Sequence, residues 1–331
     1  MKLFRLFFSL VIASTFFMAC GDDENDYNLG EKTTPQPPGI AGSGNSNTGT
    51  PTNNSADVEA AIKRLEFPKT SSKNGSFVIV HNALLNSKTK ERGVNYCVEW
   101  DPVIHAQRWC CYQMYGKVVG GVMRGTNAEN TERYYADNDG SGSIYCQYPN
   151  DTCVAEKYRF TRDPFKGSGY DHGHICPSAD RLGSDEANYQ TFFLTNMMPQ
   201  LNGFNAGIWA TMEGKVRDWS KKFDTLYVCK GGTIDQDKYI VKYLGSGNNK
   251  IPVPKYFFMA LLGKNAQGYM GMGFWVEGTT GKNNSLGNYV VNIREIEKNT
   301  GIDLFCNLPD DIEEWVETLP VTTIKATWTI N

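Results

Sequence analysis

The chain has 331 residues, of which 40% are hydrophobic and 12% aromatic, enough to bury a substantial core. Its formal net charge at pH 7 is −3, and its isoelectric point is about 5.9. A protein that binds nucleic acid through its overall charge is usually basic, so these values exclude that class and leave only local contacts with a polyanion.

Residues 1–19 are predicted to be an export signal. Lys2 and Arg5 precede an apolar run that is too short, and lies too early in the chain, for a membrane-spanning fold element. The run ends in FMAC, residues 17–20, which resembles the site of a bacterial lipoprotein at which the cysteine becomes the acylated first residue. A plain signal peptide followed by an incidental Cys20 is the alternative.

Residues 20–57 are predicted to hold the lipidated Cys20 and a disordered tether. The stretch TTPQPPGIAGSGNSNTGTPTNNS is nearly free of apolar residues, so burial cannot offset the entropy lost on ordering. The acidic GDDEND after Cys20 resembles export tags of surface lipoproteins in some Gram-negative bacteria. We therefore expect an exported protein, lipid-anchored to the bacterial outer membrane and facing the cell surface if the tag acts in this way.

The folded part is predicted to comprise residues 58–331 as one domain. Six segments rich in β-branched and aromatic residues are typical of strands: SFVIVHNALL, NYCVEW, RWCCYQMYG, TLYVCKGGT, KYFFMALLG and YMGMGFWVEG. Helical spacing occurs in NAGIWATMEGKVRDWSKKF, in NIREIEKNTG, which ends at the C-cap Gly301, and in DDIEEWVETL. Strands that run together without regular βαβ alternation predict an α+β fold with a mostly antiparallel sheet flanked by helices.

The number of cysteines permits disulfide bonds. Nine are present, and eight remain if Cys20 is acylated, an even number that permits disulfides in an exported chain. Cys146 and Cys153 flank the turn-like QYPNDT and are the pair that we predict.

The stretch YDHGHICP, residues 170–177, carries the densest group of reactive side chains. On an extended strand, His172, His174 and Cys176 would lie on one face, which is plausible for zinc. Alternatively, one histidine is a general base that takes a proton from water, or both histidines are structural. The stretch alone leaves these alternatives open.

Asn205, Trp209 and Glu213 are spaced four residues apart and are predicted to lie along one helix face. Trp209 as a core residue flanked by two polar residues would explain this spacing without any function. Alternatively, the side-chain oxygen of Asn205 holds a hard divalent cation, which prefers oxygen ligands and keeps several waters, and Glu213 holds those waters.

In chain order, these motifs resemble the DNA/RNA non-specific endonuclease family, which includes endonuclease G and has the ββα-metal (His-Me finger) core. The family's Asp-Arg-Gly-His signature stands here as DHGH, residues 171–174. Its Phe-x-Leu-Ser-Asn-x-x-Pro-Gln strand stands as FFLTNMMPQ, residues 192–200, and its Asn-x-x-x-Trp-x-x-x-Glu helix begins at Asn205. The likeness covers about residues 95–309.

The resemblance implies a role for each matching residue. His174 would be the general base and Asn205 the metal ligand. Glu213 would orient the metal's waters, and so serve both the catalytic and the metal site. Asp171 and Asn196 would support the site.

The family uses two arginines whose positions in this chain are His172 and, as the nearest match, Arg133. His172 stands where the family has arginine; histidine is shorter, pH-dependent and lacks the bidentate fork, so the rate, pH optimum or substrate preference is expected to differ. The family also uses an upstream arginine near the transition state, and Arg133 in TERYYAD is its nearest match.

The function implied by the resemblance is sequence-nonspecific endonucleolytic hydrolysis of DNA and RNA with Mg²⁺, or Mn²⁺ in its place, leaving 5′-phosphates. Two alternatives remain. One is a non-catalytic surface lipoprotein that binds nucleic acid, with the site degraded at His172. The other is a secreted domain stabilised by zinc on His172, His174 and Cys176.

Overall fold

The computed structural model describes the backbone and side chains of residues 55–71, 73–115, 147–281 and 285–330, and only the backbone of residues 118–119 and 122–123. The predicted signal peptide, Cys20, Arg133 and Cys146 lie outside the described residues. Within the part that is described, no helix is both long and apolar enough to cross a membrane.

The described residues form thirteen strands. In chain order they are β1 (Phe77–Asn86), β2 (Glu91–Asp101), β3 (Ala106–Met114), β4 (Val118–Val119), β5 (Val122–Met123), β6 (Asp171–His174), β7 (Met197–Gln200), β8 (Thr225–Gly232), β9 (Ile240–Leu244), β10 (Ile251–Pro254), β11 (Tyr256–Asn265), β12 (Gly268–Glu277) and β13 (Val290–Val291). A seven-stranded sheet with the order β1-β2-β3-β8-β11-β12-β13 is antiparallel at every pairing. All six predicted strands lie in this sheet, which confirms the α+β class with a mostly antiparallel sheet.

Six α-helices flank the sheets in the described residues. They are α1 (Ser55–Ala61), α2 (Asp185–Gln190), α3 (Ala210–Ser220), α4 (Ile293–Thr300), α5 (Asp310–Glu317) and α6 (Val321–Trp328). Helix α4 ends at Gly301 with φ of 75°, as the sequence predicts for a C-cap glycine. Helix α1 begins three residues before the predicted domain boundary at residue 58, so the last part of the predicted tether is helical.

Both faces of the large sheet are buried, because successive side chains of its strands alternate between two apolar clusters. In β1, Val78 and Val80 pack with residues of α4 and α5, whereas Ile79 belongs to the core that also contains residues of α3 and α6. The core that contains Ile79 covers the face of the sheet on which the candidate site is built.

Strands β6 and β7 pair antiparallel, and the helical segment that follows β7 completes a ββα unit. Two expectations for this unit need correction. Of residues 192–200, only β7 at the end is a strand, since Leu194–Asn196 form a 3₁₀ turn. The predicted single helix from Asn205 begins instead as a π-helical turn, Phe204–Trp209, kinked at Gly207, and becomes α-helical only in α3.

Candidate active site

The two ends of β6 are held by the π-helical turn. Asn205 Nδ2 donates a hydrogen bond of 3.0 Å to Asp171 Oδ2, and Asn202 Nδ2 donates one of the same length to the same oxygen. A carboxylate only accepts hydrogen bonds, so Asp171 fixes the orientation of the Asn205 amide. The amide oxygen of Asn205 is therefore turned away from Asp171 and is the atom that can ligate a cation.

At the other end of β6, the indole Nε1 of Trp209 donates a hydrogen bond of 3.3 Å to the main-chain oxygen of His174. The His174 ring lies edge-on to Phe192 at 5.1 Å between centroids. Trp209 itself packs on Phe257 of the large sheet. The backbone of His174 is thus tied through one buried tryptophan to the rigid core.

Asn196 fixes the chain just after His174. Its side-chain oxygen accepts from the Cys176 amide at 2.8 Å, and its Nδ2 donates to the Cys176 carbonyl at 2.9 Å. Its own carbonyl accepts from the Ile175 amide at 3.0 Å. Because Asn196 is fully buried, these bonds lack competition from water and hold the exit of β6 in one conformation.

The pairing of β6 with β7 depends on a glycine. Gly173 lies opposite Met198, and a Cβ on Gly173 would come within 2.4 Å of the Gln200 side chain. Gln200 is buried, and neither polar atom of its amide has a hydrogen-bond partner among the described residues. A buried polar pair of this kind next to β6 suits a site that takes up water or a polar ligand.

His172 occupies an aromatic sandwich. Its ring stacks on Tyr148 at 3.7 Å with an interplanar angle of 2°, and on Phe165 at 4.3 Å on its other side. Its Nε2 donates to Asp163 Oδ2 at 2.8 Å. The position that carries arginine in the family therefore holds a planar group that is stacked and hydrogen-bonded to a carboxylate.

The zinc alternative fails on this geometry. Strand β6 ends at His174, so the buried Cys176 follows the turn fixed by Asn196 and does not continue the strand. Within the described residues, His172, His174 and Cys176 do not form a metal-binding group. Cys176 is a core residue, and all seven cysteines of the described part are free.

Glu213 makes an ion pair that the sequence analysis missed. Lys230 Nζ on β8 lies 2.9 Å from Glu213 Oε1, and the lysine side chain is only 1% exposed. The same ammonium lies 5.0 Å from the Trp209 ring centroid. Burial raises the pKa of Glu213, an effect that Asp180 reinforces and Lys230 opposes. The sequence did contain a sign of this ion pair. Lys230 lies within the apolar strand TLYVCKGGT, and a lysine buried in such a strand needs a partner of opposite charge.

Other supporting residues could not be read from sequence spacing. Tyr148, Asp163 and Phe165 reach His172 from a loop, and Asn202 reaches Asp171 from the start of the helical segment. Of the basic residues near the motifs, Arg181 is buried and donates to main-chain oxygens, including that of Asn95.

Arg217 is likewise engaged within the protein. Its Nη1 lies 2.9 Å from Asp180 Oδ1, and Asp180 also accepts from the Tyr112 hydroxyl at 3.0 Å. Neither Arg181 nor Arg217 is thus left to face a polyanion. The predicted Arg133 lies outside the described residues.

The residues present fit a hard divalent cation. The oriented amide oxygen of Asn205 is an oxygen donor of the kind that Mg²⁺ prefers, and Asp171 holds the amide in place. Glu213 offers a carboxylate one turn along α3, with one oxygen already bound to Lys230. A site with few protein oxygens leaves room for the several waters that Mg²⁺ keeps.

Comparison with known proteins places these elements in a family. The family model for the DNA/RNA non-specific endonuclease matches residues 87–311. A nuclease of Syncephalastrum racemosum is 34% identical over 175 residues, covering 49% of this chain and 55% of that protein. Nuclease C1 of Cunninghamella echinulata var. echinulata is 32% identical over 179 residues, covering 51% of this chain and 70% of that protein.

A human relative and a solved structure extend the likeness. Mitochondrial endonuclease G of Homo sapiens is 30% identical over 164 residues, covering 47% of this chain and 55% of that protein. A chain in the crystal structure of the EndoG/EndoGI complex superposes with a TM-score of 0.58 at 21% identity, covering 79% of this chain and 95% of that one. At this identity the superposition shows a shared fold. The match spans only about half the length of most of these sequence relatives.

Proposed function

Because the chain belongs to the DNA/RNA non-specific endonuclease family, we propose that it is a metal-dependent endonuclease that hydrolyses phosphodiester bonds in DNA and RNA without sequence preference. One observation carries the proposal: the two ends of β6, Asp171 and His174, are bonded to Asn205 and Trp209 of one helical turn. The proposed general base and the proposed oxygen ligand are thereby held by two rigid elements.

In this mechanism, the imidazole of His174 takes a proton from the water that attacks phosphorus. General-base catalysis needs a neutral imidazole held in one position. The bond from Trp209 to the His174 carbonyl, and the Asn196 bonds to the next turn, hold the backbone of this residue. The rings of Phe192 and Tyr148 limit the rotation of the imidazole.

Asn205 would hold the cation through its amide oxygen, with Asp171 keeping the amide in the required orientation. When bound there, Mg²⁺ or Mn²⁺ supplies a positive charge that stabilises the negative charge developing on the phosphate and the leaving oxygen. A neutral amide ligand leaves that charge undiminished. We assign Glu213 to orienting water beside the cation, with Lys230 holding the carboxylate in place.

Substrate binding would run along exposed cations and tyrosines beside β6. Tyr170 directly precedes Asp171 in the sequence, and the ammonium group of Lys242 on β9 lies 4.8 Å from the centroid of the Tyr170 ring. The ammonium group of Lys250 lies 3.8 Å from the centroid of the Tyr243 ring. Contacts of this kind go to phosphates and to base faces, so they carry little sequence information. This agrees with cleavage of both DNA and RNA, which we propose to leave 5′-phosphates on the product.

We also propose that the enzyme is exported and anchored to the outer membrane through a lipid on Cys20. The support is the sequence alone: a charged start, an apolar run, a cysteine at its end and a polar tether of about 35 residues. A tether of this composition would let the nuclease domain reach substrates outside the membrane surface. Metabolic labelling with a palmitate analogue, lost in Cys20→Ser, tests the anchor.

The test of the proposed reaction uses the full chain in non-ionic detergent, with plasmid DNA and RNA as substrates. We expect cleavage with Mg²⁺, no cleavage with EDTA, and an Asn205→Ala variant that needs far more Mg²⁺ or fails. Asn202→Ala is the control, because it removes the other amide bound to Asp171 and leaves the cation ligand in place. Binding without turnover under all metal conditions would instead support a nucleic-acid-binding lipoprotein.

A further inference from the structure

A second group of metal-binding side chains lies apart from the candidate active site. His81 on β1, with Asp151 and Cys153 from the loop that follows residue 147, brings a nitrogen, an oxygen and a sulfur within 4.8 Å of one another. In the described ranges, no other three histidine, cysteine or acidic side chains meet in this way. The proposed catalytic machinery uses none of the three.

His81 and Asp151 are placed as two ligands of one ion would be. Their Nε2 and Oδ2 atoms are 3.1 Å apart, and the side chains are 2% and 0% exposed. His81 Nε2 nevertheless has no aligned hydrogen bond to any described residue. Around a tetrahedral zinc with ligand distances of about 2.0–2.2 Å, neighbouring ligand atoms lie about 3.3–3.6 Å apart. The observed 3.1 Å is just below the lower end of this range, so a small outward shift would let both atoms point at a shared ion.

Asp151 is held by hydrogen bonds of the type that orient metal ligands. The Thr195 hydroxyl donates to Oδ2 at 2.6 Å, and the Cys153 amide donates to Oδ1 at 2.8 Å. These two bonds hold the carboxylate with Oδ2 facing His81 Nε2.

Cys153, two residues after Asp151, supplies the third metal-binding side chain. The bond from its amide to Asp151 folds the loop into a tight turn that places its thiol beside the carboxylate. The side chain is partly buried in this turn.

We propose that His81, Asp151 and Cys153 bind one zinc ion, with water as the fourth ligand on the partly exposed side of Cys153. Nitrogen, sulfur and carboxylate oxygen together are a donor set that zinc accepts, whereas Mg²⁺ prefers oxygen ligands only. The imidazole binds in its neutral form through Nε2, and the thiol proton passes to solvent as the sulfur becomes a thiolate.

The zinc would stabilise the loop and the 3₁₀ turn that support the candidate active site. The loop that carries two of its ligands also carries Tyr148, which stacks on His172. Thr195, which is bonded to Asp151, directly precedes Asn196, which fixes the turn after His174. An ion at this point would join β1, the loop and the 3₁₀ turn, so its role is structural and separate from that of the cation at Asn205.

The test measures metal bound by the full chain in non-ionic detergent, after reduction, chelation and dialysis against Zn²⁺. We expect one zinc per chain, a higher Tm with zinc, and thiolate-to-cobalt charge-transfer absorption when Co²⁺ replaces it. Cys153→Ser and His81→Gln should weaken zinc binding by at least about 100-fold, since each removes one of three protein ligands. Cys306→Ser is the matched control, because it removes another partly buried free cysteine outside the group.

Alkylation of the native protein tests the proposal without relying on variants that could fail to fold. Zinc should slow alkylation of Cys153 and leave that of Cys306 unchanged, and Asn205→Ala should bind zinc as the native chain does. Zinc retained equally by Cys153→Ser, no zinc retained by the native chain, or Cys153 recovered in a disulfide with Cys146 would each overturn the proposal. None of these outcomes depends on nuclease activity.

Discussion

At the scale of single residues, His172 changes most between sequence and structure. The sequence presents it as a departure from the family arginine, with zinc binding as one alternative. In the structure it is the middle layer of three stacked rings and a partner of Asp163. Arginine shares both properties, since its guanidinium is planar, stacks on aromatic rings and pairs with carboxylates. The substitution therefore exchanges one stacked cation-forming group for another.

We expect His172→Ala and His172→Arg to change the free energy of unfolding by different amounts. His172→Ala removes two stacking contacts, each worth about 0.5–1.5 kcal/mol, so the free energy of unfolding should fall by about 1–3 kcal/mol. His172→Arg should stay within about 1 kcal/mol of the native chain, because the guanidinium fits the same sandwich. Urea unfolding measures both values. An alanine variant as stable as the native chain would show that the sandwich contributes nothing.

The ion pair between Glu213 and Lys230 is the second feature at this scale. Lys230→Met should cost about 3–5 kcal/mol, because the Glu213 carboxylate is left buried without its partner. Adding Glu213→Gln should restore much of that stability, since the unpaired charge is then gone. Burial already raises the pKa of Glu213, so the loss in Lys230→Met should grow as the pH rises and the carboxylate ionises.

Chemical denaturation of the native chain, both single variants and the double variant provides the measurement. The account requires a double variant that is more stable than Lys230→Met alone. If the two single losses simply add, the side chains do not interact, and the role assigned to Lys230 in holding Glu213 is wrong.

At the scale of elements, the helix that begins near Asn205 shows what periodicity can and cannot predict. The spacing of Asn205, Trp209 and Glu213 indicated one helix face, and all three do contact the strands beside them. The π-helical turn and the kink at Gly207 were not predictable, because an isolated glycine is tolerated in a helix. Tertiary contacts with β6, absent from any local pattern, select the wider turn.

The long strands of the large sheet were easier to predict than the helices. The strands are rich in aromatic and β-branched residues and end at glycines, and all six predicted ones occur. Helix α6 was missed because its sequence, VTTIKATW, has the β-branched composition of a strand. Helix α2 was missed because six residues are too few to display a helical period.

The β6–β7 pairing gives a prediction for this scale. Gly173→Ala should cost about 1–3 kcal/mol, because the new methyl group would overlap the Gln200 side chain. Shortening that side chain in Gly173→Ala/Gln200→Ala should recover part of the loss. Gly214→Ala is the control: it lies within α3, and outside the helix backbone a Cβ there would lie 4.0 Å from its nearest neighbour atom, Arg217 Nη2.

Thermal unfolding of these variants separates the possibilities. The control should be neutral or more stable, since alanine is the better helix former. If Gly173→Ala unfolds at the native temperature, the two strands can move apart freely. The close approach between β6 and β7 at Gly173 would then place no constraint on the site.

At the scale of the whole molecule, the class of fold followed from sequence but its topology did not. Segments rich in β-branched and aromatic residues, without regular βαβ alternation, indicated an α+β fold with a mostly antiparallel sheet. The order in which β3 lies beside β8, more than a hundred residues later, depends on pairings that no local pattern encodes. For the same reason, the motifs located His174 and Asn205, while the residues that support them from distant loops were found only in the structure.

Stability at this scale should depend on pH through the contact between α4 and α5. Burial, with the charges of Glu297 and Glu313, raises the pKa of Glu317 to about 8, although Arg294 opposes the shift. A carboxyl group whose pKa is raised on folding stabilises the fold fully below its unfolded pKa of about 4.5 and loses that contribution as the pH rises toward 8.

The native chain should therefore show a falling Tm between pH 5 and pH 8.5, with a smaller fall in Glu317→Gln, which cannot ionise. Glu314→Gln is the matched control, because Glu314 also pairs with Arg294 but has an exposed side chain. Equal pH dependence in all three proteins would exclude Glu317 as the origin of the effect.

The most direct test of the central claim is cleavage of plasmid DNA and RNA by the full chain, with Mg²⁺ or EDTA, for the native protein, His174→Ala and His105→Asn. The control removes a histidine outside the site, at a φ of 53° that asparagine tolerates. We predict Mg²⁺-dependent cleavage of both substrates by the native and control proteins, and a loss of about 10²–10⁴-fold in His174→Ala without loss of folding. Cleavage that persists in EDTA, or that is unchanged in His174→Ala, would contradict the account.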